Sequence, residues 1–239
     1  MPIVARMLTL EQDGIPGYMA HPEGPGPRPG VLMVHHAHGV TADLQDRRVP
    51  ARPARLATCS RPASSTCSGW LGPIISAPAR SSRPSTGTAS SSGKMEEAWH
   101  YLTGRMNSTP RAPPASGTAW AARALIPFAA DHPQIRAIVL YYPSVRDELR
   151  PRTGRATPSS WRPRSKCASL VFCGGLDYIA TPAIQAPLGR PSMASGQPVE
   201  WHAFSDANHG FRHPDNAGFQ PHYADVAWAL ATDFLQRRV

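Results

Sequence analysis

Continuous apolar runs and amphipathic segments alternate along much of the chain. Runs of β-branched and aromatic residues bounded by Gly and Pro are typical of buried parallel strands. Apolar positions at helical spacing favour helices, of which the one at 121–130 should be kinked or ended by Pro127. This alternation predicts an α/β fold, a mostly parallel sheet flanked by helices, as one domain over 1–239. The predicted strands are 14–20, 31–35, 135–142, 169–173 and 199–204, and the predicted helices are 95–102, 121–130 and 223–235.

One long segment, 47–94, breaks this pattern. Between Arg47 and Met95 there are eleven serines, six prolines and no acidic residue. No period of 2 or 3.6 persists, so the segment cannot bury enough apolar surface to offset its ordering entropy. We expect a disordered, low-complexity basic insertion there. Further irregular segments are expected at 107–116, where prolines would deny hydrogen bonds to a central strand, and at 150–166.

The net charge of +9 is concentrated in the same insertion, whose seven arginines and one lysine contribute +8. Nucleic-acid binding usually combines basic residues with aromatic side chains on an ordered scaffold. Trp70 is the only aromatic residue of the segment. We therefore expect no nucleic-acid partner, although a basic, partly disordered interaction protein stays open as a minor alternative.

The cysteines, the first residues and the lengths of the apolar runs indicate in which cellular compartment the protein functions. Four cysteines, at 59, 67, 167 and 173, show no zinc-type spacing, and Cys173 lies in an apolar run where a small buried hydrophobe is expected. The first residues lack a secretion-signal pattern, and no run is long enough to span a membrane. A cytoplasmic protein without membrane contact or cofactor is predicted, and its oligomeric state is left open.

Two polar residues follow predicted strands near the end of the chain. Asp177 comes after a buried strand and a Gly-Gly turn, and His209 follows the 199–204 strand. A carboxylate that orients an imidazole toward a nucleophile is the arrangement acyl transfer needs. The alternative is structural, with Asp177 capping a helix near Pro182 and His209 serving as a turn residue.

Several blocks, in this order and spacing, resemble the dienelactone hydrolase family. The blocks are residues 17–24, 29–36, 131–137, 141–143, 175–177 and 207–211. The resemblance implies an α/β-hydrolase fold, a lactone or small-ester substrate, and a triad of Cys or Ser with Asp177 and His209. It also implies an oxyanion-binding backbone amide near Ala37. A metal at His35, His36 and His38 is not expected, because alternation along a strand end separates their faces.

The chain departs from the family at the position expected for the nucleophile. The family carries Gly-x-Cys-x-Gly-Gly about 22 residues before its Tyr-Tyr, and this position reads Gly117-Thr-Ala-Trp-Ala-Ala, with Ala119 at the nucleophile. Ala121 replaces a glycine that the sharp strand-to-helix turn is expected to require. Ser116 is near, but it lacks the preceding glycine and its strand should be broken by proline. No other Gly-x-Ser-x-Gly or Gly-x-Cys-x-Gly occurs in the chain.

A reading-frame slip would account for the irregular segments. Shifting codons for Gly-His-Cys-Met-Gly-Gly by two bases gives Thr-Ala-Trp-Ala-Ala, which is the sequence of 118–122. A GC-rich gene read out of frame also yields mostly Arg, Ala, Pro, Ser and Gly. We hypothesise that 47–94, about 107–126 and 150–166 are out-of-frame translations.

The sequence therefore predicts a lactone or ester hydrolase whose acid and base are Asp177 and His209 and whose nucleophile is lost. A catalytically inactive protein that binds a small molecule is the main alternative.

Overall fold

The computed structural model describes residues 3–23, 30–35, 74–77, 88–105, 113–145, 166–188 and 196–238. Within these ranges eight strands form one sheet in the order β1-β2-β4-β3-β5-β6-β7-β8. The strands are β1 (Ile3–Leu8), β2 (Gly17–Pro22), β3 (Val31–Val34), β4 (Ile74–Ala77), β5 (Ala115–Thr118), β6 (Ala137–Tyr141), β7 (Ala168–Gly174) and β8 (Val199–Phe204). The helices are α1 (Leu10–Asp13), α2 (Thr88–Arg105), α3 (Ala119–Asp131), α4 (Pro182–Gln185) and α5 (Pro221–Gln236).

The sheet is mostly parallel. From β4 to β8 every neighbouring pair is parallel, whereas β1 and β2 add an antiparallel edge next to β4. Alternate residues of β3 enter different cores: Leu32 packs with the apolar residues of α2 and α3, and Met33 packs with those of α5. Helices therefore cover both faces of a sheet whose central strands are apolar on both sides, and the predicted α/β fold class is confirmed.

Parts of the segments predicted to be irregular are ordered elements. Residues 74–77 form β4, which pairs with β2 and β3, and α2 begins at Thr88, so the prediction of disorder was wrong for these residues. The other residues between 47 and 87 lie outside the described part of the chain. The prediction for 150–166 also falls outside it, apart from Lys166.

The strand expected to be broken by proline is present in the middle of the sheet. β5 pairs with β3 on one side and β6 on the other, so the irregularity predicted for 107–116 was wrong at Ala115 and Ser116. The prolines precede the strand rather than interrupting it. The carbonyl of Pro114 even accepts a 2.9 Å hydrogen bond from Leu32, because proline lacks only the donor.

Helix α3 does not end at Pro127. It contains Pro127 and continues to Asp131. Because proline removes a single hydrogen-bond donor, the buried apolar face of the helix, which includes Leu125, Ile126 and Phe128, is sufficient to hold it.

Candidate active site

Asp177 lies in the loop at the carboxyl end of β7, and its side chain is held from several sides. One carboxylate oxygen accepts hydrogen bonds from the backbone amides of Ile179 at 2.9 Å and Ala180 at 2.7 Å. The residue is only 2% exposed. Backbone amides of this kind fix the orientation of a buried carboxylate.

The Gly174-Gly175 turn lets the loop that carries the histidine pass close to β7. A side-chain Cβ at Gly174 would collide with the carbonyl oxygen of Ala207, and one at Gly175 would collide with that of Ser205. The two loops that follow β7 and β8 can approach each other because both positions are glycine.

His209 lies on the second of these loops and contacts Asp177 directly. Its Nδ1 is 2.9 Å from one carboxylate oxygen and 3.1 Å from the other. Donation from Nδ1 leaves Nε2 of a neutral imidazole as the proton acceptor. Within the described residues, Asp177 is the only hydrogen-bonding partner of the His209 side chain.

The alternative role for Asp177 as a helix cap does not hold. The cap of α4 is Thr181, whose hydroxyl accepts a hydrogen bond from the amide of Ile184. The Asp177 carboxylate instead accepts hydrogen bonds from two backbone amides of its own loop and contacts Nδ1 of His209.

The junction of β5 and α3 forms a sharp bend at Ala119. Its φ of 49° lies in the left-handed region, which is uncommon for residues other than glycine. Gly117 lies against the helix so closely that a Cβ there would be 2.9 Å from a methyl of Leu125 and 3.0 Å from the amide of Ala122. The left-handed bend and the close strand–helix approach resemble the sharp strand-to-helix turn that carries the nucleophile in α/β-hydrolases. The turn forms with alanine at 121, inside α3, so the expectation that it requires glycine there was wrong.

The bend and the Asp177–His209 pair lie at the same edge of the sheet. Thr118 of β5 is in register with Tyr141 of β6, which is in register with Phe172 of β7, so the carboxyl ends of these strands are aligned. The loop after β6 connects the two parts. Ser144 donates a 3.3 Å hydrogen bond to the carbonyl of Ala119, and the ring of Tyr142 is 4.9 Å from that of His209.

Ala119 carries only a methyl group. Two nearby side chains that could in principle act as a nucleophile are Ser116 and Cys173. Ser116 is buried within β5, three residues before the bend, and among the described residues it makes no hydrogen bond to His209. Burial and the nearby Asp177 carboxylate raise the pKa of the Cys173 thiol well above its ordinary value, so the reactive thiolate is disfavoured. Cys173 fits the predicted role of a buried hydrophobe, and with Pro182, Trp201 and Ala203 it lines a mostly apolar pocket of about 360 Å³.

Other predicted site residues lie partly outside the described chain. Ala37, His36 and His38 are among them, while His35 is described and buried at the end of β3. The described residues contain no group of three His, Cys, Asp or Glu side chains placed to hold a metal ion. The sequence prediction omitted one candidate oxyanion donor, the backbone N–H of Trp120. This amide comes directly after Ala119 in the first turn of α3, where amides lack helical partners. Its place after the nucleophile position could have identified it.

No described helix is both long and apolar enough to cross a membrane.

The fold is that of the α/β-hydrolases. The sequence profile of the dienelactone hydrolase family matches residues 97–239, more than half of the chain, and the chain belongs to that family. Its structural neighbours include proteins described as a dienelactone hydrolase, a carboxylesterase and a peptidase. No curated protein sequence matches the chain.

Several solved structures have a similar fold. A crystal structure from Klebsiella pneumoniae assigned to the dienelactone hydrolases has a TM-score of 0.76 at 16% identity, covering 99% of both chains. The dienelactone hydrolase-like promiscuous phosphotriesterase P91 from metagenomic libraries has a TM-score of 0.71 at 15% identity, covering 100% of this chain and 99% of its own. The esterase LipW from Mycobacterium marinum has a TM-score of 0.65 at 17% identity, covering 98% and 82%. At these identities the similarity establishes the fold alone.

Proposed function

We propose that this chain carries the acid and base of a lactone or carboxylic ester hydrolase and lacks its nucleophile. Asp177 is the acid that orients the imidazole, and His209 is the base. The observation that carries the proposal is the buried 2.9 Å contact between these two side chains, at the same sheet edge as the left-handed bend at Ala119. The substrate proposed is a small molecule, and neither a nucleic acid nor a membrane is part of the proposal.

The chemistry follows from the positions of these groups. In a complete site, the side chain at 119 would attack the ester carbonyl while His209 Nε2 accepts its proton and returns it to the leaving alcohol. A water molecule, deprotonated by the same nitrogen, would then cleave the acyl-enzyme, release the carboxylic acid and restore the side chain at 119. The amide of Trp120 would donate to the oxyanion, and an amide near Ala37 is proposed as its partner. The methyl group of Ala119 cannot form an acyl-enzyme, so we propose that the present chain has at most the residual rate that binding and oxyanion stabilisation supply.

Restoring the nucleophile tests this proposal. We expect Ala119→Cys and Ala119→Ser to raise the hydrolysis of p-nitrophenyl acetate by at least about 100-fold over the parent chain. Mass spectrometry should find an acyl group on residue 119. The matched control Ala119→Cys with His209→Ala should lose the gain.

Two results would count against the proposal. The first is rapid turnover by the unsubstituted chain that depends on His209, which would require a nucleophile other than residue 119. The second is a folded Ala119→Cys variant without activity toward any short-chain ester or lactone.

A non-catalytic role is the second candidate, and one observation favours it. The bend retains its left-handed conformation although it presents only a methyl group. A protein that keeps the shape of the site without its nucleophile could bind an ester or lactone and release it unchanged. Chemical-shift changes at His209 on adding a lactone, with the lactone recovered intact, would support this role.

The reading-frame hypothesis bears on both candidates. The family match begins at residue 97, directly after the segment 47–94, and this supports an out-of-frame origin for that segment. The match also runs through 107–126 and 150–166, so it gives those segments no such support. Resequencing the gene tests the hypothesis, and an uninterrupted frame with the same residues in close relatives would overturn it.

A further inference from the structure

Tyr142 has a backbone conformation that its side chain disfavours. Its φ of 36° places it in the left-handed region, where a bulky residue is a genuine outlier. In the described chain Ala119 is the only other non-glycine residue with a positive φ. Such conformations persist only where the surrounding structure holds them, and they concentrate at functional sites.

The contacts of the Tyr142 ring show what this conformation achieves. The ring is 1% exposed and meets the His209 imidazole edge to face, with centroids 4.9 Å apart and planes at 61°. It meets Phe211 in the same manner at 5.1 Å and lies 6.2 Å from His213. Three rings of the loop after β8 are therefore arranged around this one side chain.

The backbone around Tyr142 is anchored on both sides. Its amide donates a 2.7 Å hydrogen bond to the carbonyl of Phe172 in β7. Two residues later, the amide of Ser144 donates to the carbonyl of Ala119 at 3.3 Å. The residue thus links the strand that leads to Asp177, the bend at Ala119 and the loop that carries His209.

We propose that Tyr142 is a positioning residue for His209. The contact with Asp177 fixes one nitrogen of the imidazole but leaves the ring free to swing about that contact. The Tyr142 ring blocks this swing from the side and directs Nε2 toward the bend at residue 119. The left-handed conformation at 142 turns the aromatic ring back against the histidine, and we infer that this is why the strain is retained. The catalytic consequence rests on the proposed function, whereas the positioning itself does not.

Proton NMR tests the positioning in the chain as it exists, without any need for activity. In the parent, the His209 Nδ1–H proton, buried against a carboxylate, should give a downfield resonance protected from exchange with water. Tyr142→Phe keeps the ring and should keep this resonance. Tyr142→Gly removes the ring while accommodating the backbone, and the resonance should broaden or disappear. Tyr141→Leu, a buried neighbour that stacks on Phe172 at 5.0 Å, is the matched control and should retain it.

The same substitutions in the Ala119→Cys background give the catalytic readout. We expect Tyr142→Gly to lower kcat by about 10- to 100-fold with KM within about twofold, because misplacing a catalytic group by about 1 Å has effects of this size. The kcat of Tyr142→Phe should stay within about threefold of that of its parent, because the ring and its packing against His209 are kept. An unchanged His209 resonance in a folded Tyr142→Gly chain would overturn the proposal, as would an equal loss in Tyr141→Leu. If Ala119→Cys is inactive but the resonance responds as expected, the proposed function fails and the positioning role stands.

Discussion

The imidazole of His209 and the carboxylate of Asp177 are joined by a buried hydrogen bond of 2.9 Å, although 32 residues separate them in the sequence. Two glycines allow the loops that carry them to approach, and two backbone amides hold the carboxylate in place. In the proposed site this pair supplies the acid and the base, and the proposed nucleophile position, Ala119, carries no reactive atom.

Removing the charge of Asp177 should abolish the activity restored at residue 119. In the Ala119→Cys background, Asp177→Asn should lower kcat by about 10³- to 10⁴-fold, because an amide no longer selects the imidazole tautomer with a free Nε2. Steady-state ester hydrolysis measures the change. Asp206→Asn, at an exposed aspartate near His209, is the control and should change kcat by less than about threefold, as expected for a group outside the reacting atoms. Comparable losses in the two variants would contradict the assignment of Asp177.

Replacing Ala119 by glycine should stabilise the protein. The left-handed conformation costs an alanine about 1 kcal/mol, and glycine adopts it freely. We expect the free energy of unfolding in urea to rise by about 1 kcal/mol. Ala129→Gly, in the same helix at an ordinary helical position, should lower it by at least about 1 kcal/mol. Equal destabilisation by both changes would show that residue 119 is not strained in solution.

The close approach of the two loops predicts that alanine at Gly175 destabilises the protein, whereas alanine at a helical glycine with free space around it stabilises it. Gly175→Ala places a methyl group against the carbonyl of Ser205, so we expect a loss of about 1–3 kcal/mol and a displaced His209 loop. Gly104→Ala, in helix α2 with nothing within 4 Å of the added carbon, should instead gain about 0.5–1 kcal/mol. Urea denaturation measures both values. A Gly175→Ala protein as stable as its parent would mean that the loops lie farther apart.

The N-terminal hairpin contains an ion pair with a defined dependence on pH. Arg6 donates to the Asp13 carboxylate at 2.8 Å, as does the Tyr101 hydroxyl at 2.9 Å. The hydrogen bond from Arg6 is the main cause that holds the pKa of Asp13 well below its ordinary value. A lowered carboxyl pKa contributes stability above the unfolded-state value of about 3.9, and the contribution is lost as the pH falls toward the folded-state value.

Urea unfolding of the parent and Asp13→Asn measures this contribution. We expect their stability difference to be constant from about pH 7 to pH 5 and to shrink below about pH 4. In an Arg6→Gln background most of this pH dependence should vanish. The same slope with and without Arg6 would show that the guanidinium is not its cause.

The sequence predicted some elements accurately and missed others for identifiable reasons. The strand at 199–204 was predicted at its observed bounds because its apolar residues alternate with Glu200 and His202 and turn residues flank it on both sides. β5 was missed because Ala115, Ser116, Gly117 and Thr118 are small and follow two prolines, so nothing in their composition favours a strand. β4 was missed because four residues inside a serine-rich segment form a strand only when β2 and β3 supply hydrogen bonds. Neither the left-handed φ of Tyr142 nor its contact with His209 has a signal in the sequence.

The sequence by itself determined which reactive side chains the chain carries, because the identity of a side chain does not depend on the fold. A methyl group at 119 cannot attack a carbonyl in any conformation. Local apolar patterns likewise determined the class of fold, since they reflect which residues must be buried. Only the tertiary structure decided that Asp177 meets His209, that the bend survives without its expected glycine, and that Tyr142 packs against the histidine. These are contacts between distant segments, and their free energy comes from packing and hydrogen bonds that exist only once the sheet has formed.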